Sequence, residues 1–212
     1  MTIDSREKSV LATDPTGHGQ GSGARVLEQK LNRWPALEVL FSRDDIRQPT
    51  EWRIKDTRHT MVVHLGGEMH ALETEMDGHG GSQGPAIAGE VWSIPAGRSY
   101  ASRARGTVIH YAVFFMDPSS PLIGANAKAE ARGLNAVAGV RDGFLLQAAR
   151  QLRVLAGASD DLAQLQGDSL SYATAYHLYR AYGSSAEAFD YAARPTSKTL
   201  DSRQAKVVRD YV

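Results

Sequence analysis

The sequence predicts an α+β protein in which an antiparallel β-barrel or sandwich is followed by a pair of helices. Three observations carry this reading. From about residue 25 to residue 116 the apolar residues come in short bursts separated by Gly, Pro, Asp and Asn, the rhythm of antiparallel strands joined by turns. After Asp117-Pro118 the texture changes to Ala, Leu, Gln, Arg and Asp, a mixture richer in helix formers. The composition, 42% hydrophobic and 23% charged over 212 residues, is that of an ordinary globular chain with one main domain and an appendage.

Residues 1–24 are polar and rich in Gly, Ser, Thr and Asp; such a segment buries too little apolar surface to offset its ordering entropy, and a mobile tail is expected. Residues 36–41 read as a strand. Residues 60–65 read as a second, with Met61, Val63 and Leu65 alternating against Val62 and His64. Gly66-Gly67 then signals a turn, and residues 70–76 alternate again before a loop at Asp77-Gly78 and Gly80-Gly81. A short strand over 89–95 ends in Pro95-Ala96-Gly97. The long apolar burst over 107–116 suggests a strand buried on both faces.

In the second half, Phe144, Leu145, Ala148, Leu152 and Leu155 fall at helical spacing, predicting a helix over 141–156. Residues 157–161 break it. Asp168 is a capping residue for a second helix over 168–183, with Leu170, Ala173, His177, Leu178 and Ala181 as its apolar stripe and Gly183 at its end. Residues 184–200 read as a linker, and a third helical pattern begins at Asp201 or Ser202 and runs to Val212 without a stop signal.

Three of these segments bear on a family. Gly89-Glu90-Val91-Trp92-Ser93-Ile94-Pro95-Ala96-Gly97 resembles the second cupin signature, GxxxxxPxG, while Asp168-Ser169-Leu170 through Gly183 looks like the helix that follows the barrel in AraC/XylS-family transcription regulators. Leu200-Asp201-Ser202-Arg203-Gln204 through Val212 is similar to the opening of that family's DNA-binding domain. The resemblance implies a cupin-like antiparallel β-barrel (double-stranded β-helix) over 25–118 that holds a small effector. It also implies a helical dimerisation region over 119–183, a linker over 184–200, and a truncated DNA-binding domain starting at 201. The expected protein is the effector-sensing and homodimerising part of a regulator, with one helix of each subunit packed antiparallel to its mate.

Chemistry offers fewer signals. A metal cupin brings together three imidazoles, the first two in an HxH pair on one strand; no HxH occurs, and Tyr100 stands where the second signature would place its His. The barrel therefore reads as free of metal and cofactor. His59, His64, His70, His79 and His110 are scattered through it, and unclustered imidazoles are usually structural or solvated. Glu73, Glu75 and Asp77 read as solvated carboxylates. No GxSxG or phosphate-binding loop occurs, so the sequence gives no sign of an enzyme. A metal-dependent cupin enzyme, a dioxygenase or isomerase, and a stand-alone cupin binding protein are the rival readings.

Trp52, Trp92, Tyr100 and Tyr111 are the candidate aromatic walls of an effector pocket, with His64 and His110 as candidates to orient a polar group of the ligand. Period-two alternation identifies residues that share a face without saying which face is inward. Twenty-four basic residues balance twenty-four acidic ones, leaving no positive field for a phosphate backbone; DNA would be reached only through the missing domain. No apolar run approaches the ~20 residues that span a membrane, and the absence of Cys fits the reducing cytoplasm.

Overall fold

The computed structural model describes residues 23–79, 81, 83–119 and 133–184. The described residues form seven strands and then two helices: β1 (Arg25–Arg33), β2 (Glu38–Asp45), β3 (Thr50–Lys55), β4 (His59–Met76), β5 (Glu90–Ile94), β6 (Ser99–Met116), β7 (Val137–Arg141), α1 (Gly143–Leu155) and α2 (Asp161–Tyr182). All strand pairs are antiparallel, in the order β1-β2-β6-β4-β5-β7, with β3 on β6.

β4 and β6 are each eighteen residues long and pair from His59↔Met116 to Met76↔Tyr100. At about 3.3 Å per residue, a straight strand would hold Val62 and Leu72 roughly 33 Å apart. Both nevertheless line one small cavity, so the sheet is folded over itself. The fold comes at register shifts between His64 and Ala71, where a bulge bends a strand and increases its twist. Gly66 and Gly67 have positive φ there, and a Cβ on Gly67 would collide with the Val108 carbonyl. The Gly66-Gly67 pair thus bends one continuous strand instead of ending it in the expected turn.

Alternation now separates two cores. Ile109, Tyr111, Val113 and Phe115 of β6 face the concave side with Leu40, Trp52, Leu72 and Trp92. Ala112, Phe114 and Met116 face the convex side, where Leu145, Ala149 and Leu152 of α1 and Ala175 and Leu178 of α2 cover them. β2 pairs with the second half of β6 and β3 with the first half, on the same edge.

α1 starts where Asp142 accepts a hydrogen bond from the Leu145 amide at 2.9 Å, a standard N-cap arrangement. The second Asp142 oxygen receives the Tyr182 hydroxyl at 2.8 Å and faces His177 Nε2 at 2.7 Å. Burial works against this carboxylate, but the bonds from His177, the Leu145 amide and Tyr182 outweigh it and hold its pKa below the ordinary value. One buried group therefore joins the start of α1 to the end of α2.

α2 departs from expectation in two ways. It begins after Asp160, whose side chain accepts from the Ala163 amide, seven residues before the predicted cap at Asp168. The predicted apolar stripe is also divided. Leu178 is 0% exposed within the chain's own core, Leu170 packs against that core, and His177 is bound to Asp142, whereas Ala173 and Ala181 are exposed. The five residues do not form one outward face. The exposed large apolar side chains of α2 are Leu162 (73%), Leu165, Tyr172 and Tyr176 (67%), again at three-and-four spacing.

β7 extends the sheet into the region expected to be helical, and β1 and β3 were not anticipated. The predicted tail, most of the linker and the third helical pattern lie outside the described residues. Among the described residues, no helix is long and apolar enough to cross a membrane.

Gly167 offers a test of the α2 packing. A Cβ there would stand 2.5 Å from Trp34 Nε1. Gly167→Ala gains about 1 kcal/mol of helix propensity, but overpacking costs about 1–3 kcal/mol, so urea unfolding should show a net loss of about 1 kcal/mol. Leu178→Ala should lose about 2–5 kcal/mol by opening a core cavity. Neutral outcomes for both would mean that α2 is not seated on this core.

Candidate functional site

The concave core is incompletely filled. A cavity of about 60 Å³ remains, walled by Trp52 and Ile54 of β3, Val62, His64, Met69 and Leu72 of β4, and Trp92 of β5. Ala86 and four residues of β6, Tyr100, Ser102, Ile109 and Tyr111, complete it. Several lining positions follow from register: Val62 pairs with Trp92 and Val113, His64 with Tyr111, and Trp52 with Ser102, which places inward residues of neighbouring strands beside one another.

Several polar atoms of the wall are already engaged. The Tyr111 hydroxyl donates to Asp44 Oδ2 at 2.8 Å, and Ser42 Oγ donates to Asp44 Oδ1 at 2.7 Å. Burial, followed by the charge of Asp44, pushes the Tyr111 pKa upward. Trp52 meets the Tyr111 ring edge-on, with centroids 6.5 Å apart. Burial also raises Tyr100 to about 12, against a hydrogen bond with Ser102. Both phenols stay protonated at neutral pH.

Two polar atoms differ from these. His64 is 3% exposed and Trp92 is 4% exposed, and neither His64 Nε2 nor Trp92 Nε1 has a hydrogen-bond partner among the described residues. Burial lowers the His64 pKa to about 4, with His110 adding to the effect and a hydrogen bond to the Gly67 backbone opposing it. The ring is therefore neutral at pH 7. An unpaired buried polar group costs about 1–3 kcal/mol, and the two rings that carry these atoms line the same cavity.

The structure brings Trp52, His64, Trp92, Tyr100 and Tyr111 together around the cavity and separates His110 from them. Ile109 and Tyr111 point inward, so His110 points outward, beside Leu65, Arg150, Arg153 and Val154. Its pKa is lowered by burial and then by Arg153 and Arg43. His59 accepts a hydrogen bond from the Ala96 amide at 3.0 Å and serves the turn after β5. Sequence reasoning missed Ser102, although it alternates with Tyr100 and Ala104 on one face. It also missed Met69, which sits among the bulges of β4 where alternation is interrupted.

Cupin folds commonly hold a transition metal on several imidazoles and a carboxylate. This cavity does not fit one. Its lining supplies a single imidazole and no carboxylate, and among the described residues no group of three His, Cys, Asp or Glu side chains is placed to hold an ion.

No family model matches the sequence, and no curated protein resembles it. Solved structures match part of the chain. A cupin domain from Bordetella pertussis is 15% identical, covering 44% of this chain and 93% of its own, with a TM-score of 0.33. The DMSP lyase DddQ from Ruegeria pomeroyi is 15% identical over 46% of this chain and 47% of its own, with a TM-score of 0.34. A putative mannose-6-phosphate isomerase from Ralstonia eutropha is 14% identical over 53% and 98%, with a TM-score of 0.34. The matched structures thus include proteins named as enzymes, and the expectation that the chain is not an enzyme is withdrawn on that finding. None of the three is described as a transcription regulator.

His64 links folding to pH. Its native ring titrates near 4 and the unfolded ring near 6.5, so between those values the unfolded chain binds more protons, and stability is lost as pH falls from about 6.5 to about 4. The whole shift corresponds to roughly 3 kcal/mol. His64→Gln should flatten the urea-unfolding profile across this window, leaving a smaller slope of the same sign from His110. A variant profile as steep as the wild type would place the pH dependence elsewhere.

Proposed function

We propose that the chain is a small-molecule-binding domain whose ligand enters the cavity on the concave face of the folded sheet. The observation that carries this reading is the coincidence of an apolar, aromatic-walled cavity with two buried polar atoms that lack a partner. Ligand sites have this character: mostly apolar walls and a few placed polar groups that fix orientation. The roughly 60 Å³ available compares with about 150 Å³ in a cavity that takes benzene, so the ligand, or the part of it that enters, is small.

Xenon tests the cavity directly, since it binds apolar voids. Saturable xenon binding that shifts the Trp92 and Tyr111 NMR signals is expected for the wild type. Ala86→Leu, which extends branched hydrocarbon into the space, should abolish it. Xenon that binds both proteins alike, or that leaves Trp92 and Tyr111 unmoved, would contradict the site.

A second reading keeps this cavity as the effector site of an AraC-type regulator and adds homodimerisation through α2. Its support is the sequence resemblance together with the exposed Leu162, Leu165, Tyr172 and Tyr176 stripe, which an isolated helix cannot cover. On this reading the protein sediments as a dimer at tens of micromolar, and Leu165→Asp with Tyr176→Asp yields a folded monomer. A wild-type monomer would remove it without touching the cavity.

A further inference from the structure

Resting on the cavity as the binding site, we infer that its ligand is a small uncharged molecule carrying a hydroxyl or primary amide group, held between His64 and Trp92. Such a group donates one hydrogen bond and accepts another.

Trp92 Nε1 is a donor and nothing else, so it requires an acceptor. His64 is two-sided. Its ring engages the Gly67 backbone in a bond that favours the protonated nitrogen, which is an N–H donating to a carbonyl. In a neutral imidazole one nitrogen is the donor and the other the acceptor. Nε2, the atom without a partner, is therefore a bare lone pair that requires a donor. The cavity thus presents one donor and one acceptor, both 96% buried or more.

Geometry places them within reach of one small molecule. Val62 is in register with Trp92, and His64 lies two residues along on the same face, so the pair is diagonal, with Cα atoms about 7–8 Å apart. The competing Tyr111 hydroxyl is occupied by Asp44.

Charge excludes other ligand classes. A carboxylate would suit Trp92 but would face the lone pair of His64, and no Lys or Arg lines the cavity. An ammonium group would suit His64 but would leave the indole N–H unpaired and would find no carboxylate in the lining. A hydrocarbon would satisfy neither. A hydroxyl or primary amide satisfies both, and a cavity of about 60 Å³, against about 150 Å³ in one that takes benzene, limits the body to a few carbon atoms.

The experiment compares four probes, 1-propanol, propionamide, propionate and xenon, on the wild type, Trp92→Phe and His64→Phe, followed through the Trp92 indole N–H and His64 ring signals. Propanol or propionamide should bind the wild type better than propionate and move the indole N–H signal. Trp92→Phe should weaken alcohol and amide binding about three- to tenfold while leaving xenon binding in place, which also shows that the variant is folded. His64→Phe should do the same for the alcohol unless its ring fills the space, a case that lost xenon binding reveals; Trp92→Phe then decides alone. Xenon binding with no preference for the polar probes, or a preference that survives Trp92→Phe, overturns the inference and leaves the cavity standing. Tighter binding of propionate with protonation of His64 overturns it, as does an ordered water on both atoms that no probe displaces. Failure of every probe, xenon included, overturns the cavity reading itself.

Discussion

The pairing of β4 with β6 carries the architecture. The strands remain partners across both halves of the sheet, yet a flat ribbon of that length would bury neither face. Glycine resolves the conflict. At Gly67 and Gly106 the two backbones approach so closely that a Cβ would strike the opposite strand, at the Val108 carbonyl from one side and the Glu68 carbonyl from the other. The ribbon bends there, and its halves close over one another. β2 and β3 then occupy the same edge of β6 on either side of the bend, and the concave face acquires an interior that a flat sheet lacks.

How far this was legible from sequence depended on whether a feature was local. The strands at 60–65 and 107–116 stood out through alternation and β-branched runs, and α1 stood out through its apolar spacing. The continuity of β4 did not, because positive-φ glycines mark a turn and a bulge alike; only the partner strand distinguishes them. β1 is largely exposed and offers no alternation in burial to detect. α2 starts earlier than the predicted cap at Asp168, because Asp160, within the stretch read as a break, is itself a capping residue, and Gly167 is helical and lies against Trp34.

The candidate site was more legible in residue type than in placement. Trp52, His64, Trp92, Tyr100 and Tyr111 were selectable as aromatic or imidazole residues in strands, but their shared inward face follows from register across four strands. His110 fails for the same reason: one step along β6 reverses the face. Leu178 satisfies helical periodicity equally well as an interface residue or a core residue, and the adjacent convex sheet decides for the core. A stripe records that a face must be covered, without recording by what.

The two cores differ in the chemistry they can close. On the convex side, Ala112, Phe114, Met116, Leu145, Leu152 and Leu178 are apolar and interdigitate freely, and the Tyr182 hydroxyl at their margin is satisfied by Asp142. On the concave side, Trp52, Trp92, Tyr100, Tyr111 and His64 bring bulky rings with polar atoms at their rims, and each such atom requires a partner at a defined distance and angle. Asp44 satisfies the Tyr111 ring from within the fold. The rings at His64 and Trp92 line the remaining cavity, and each carries a buried polar atom without a partner among the described residues. Shrinking the cavity with more hydrocarbon would remove volume but would leave both atoms unpaired at about 1–3 kcal/mol each. On the proposed reading a polar molecule entering from outside satisfies them, and the unfilled volume and the unpaired atoms are two aspects of one site.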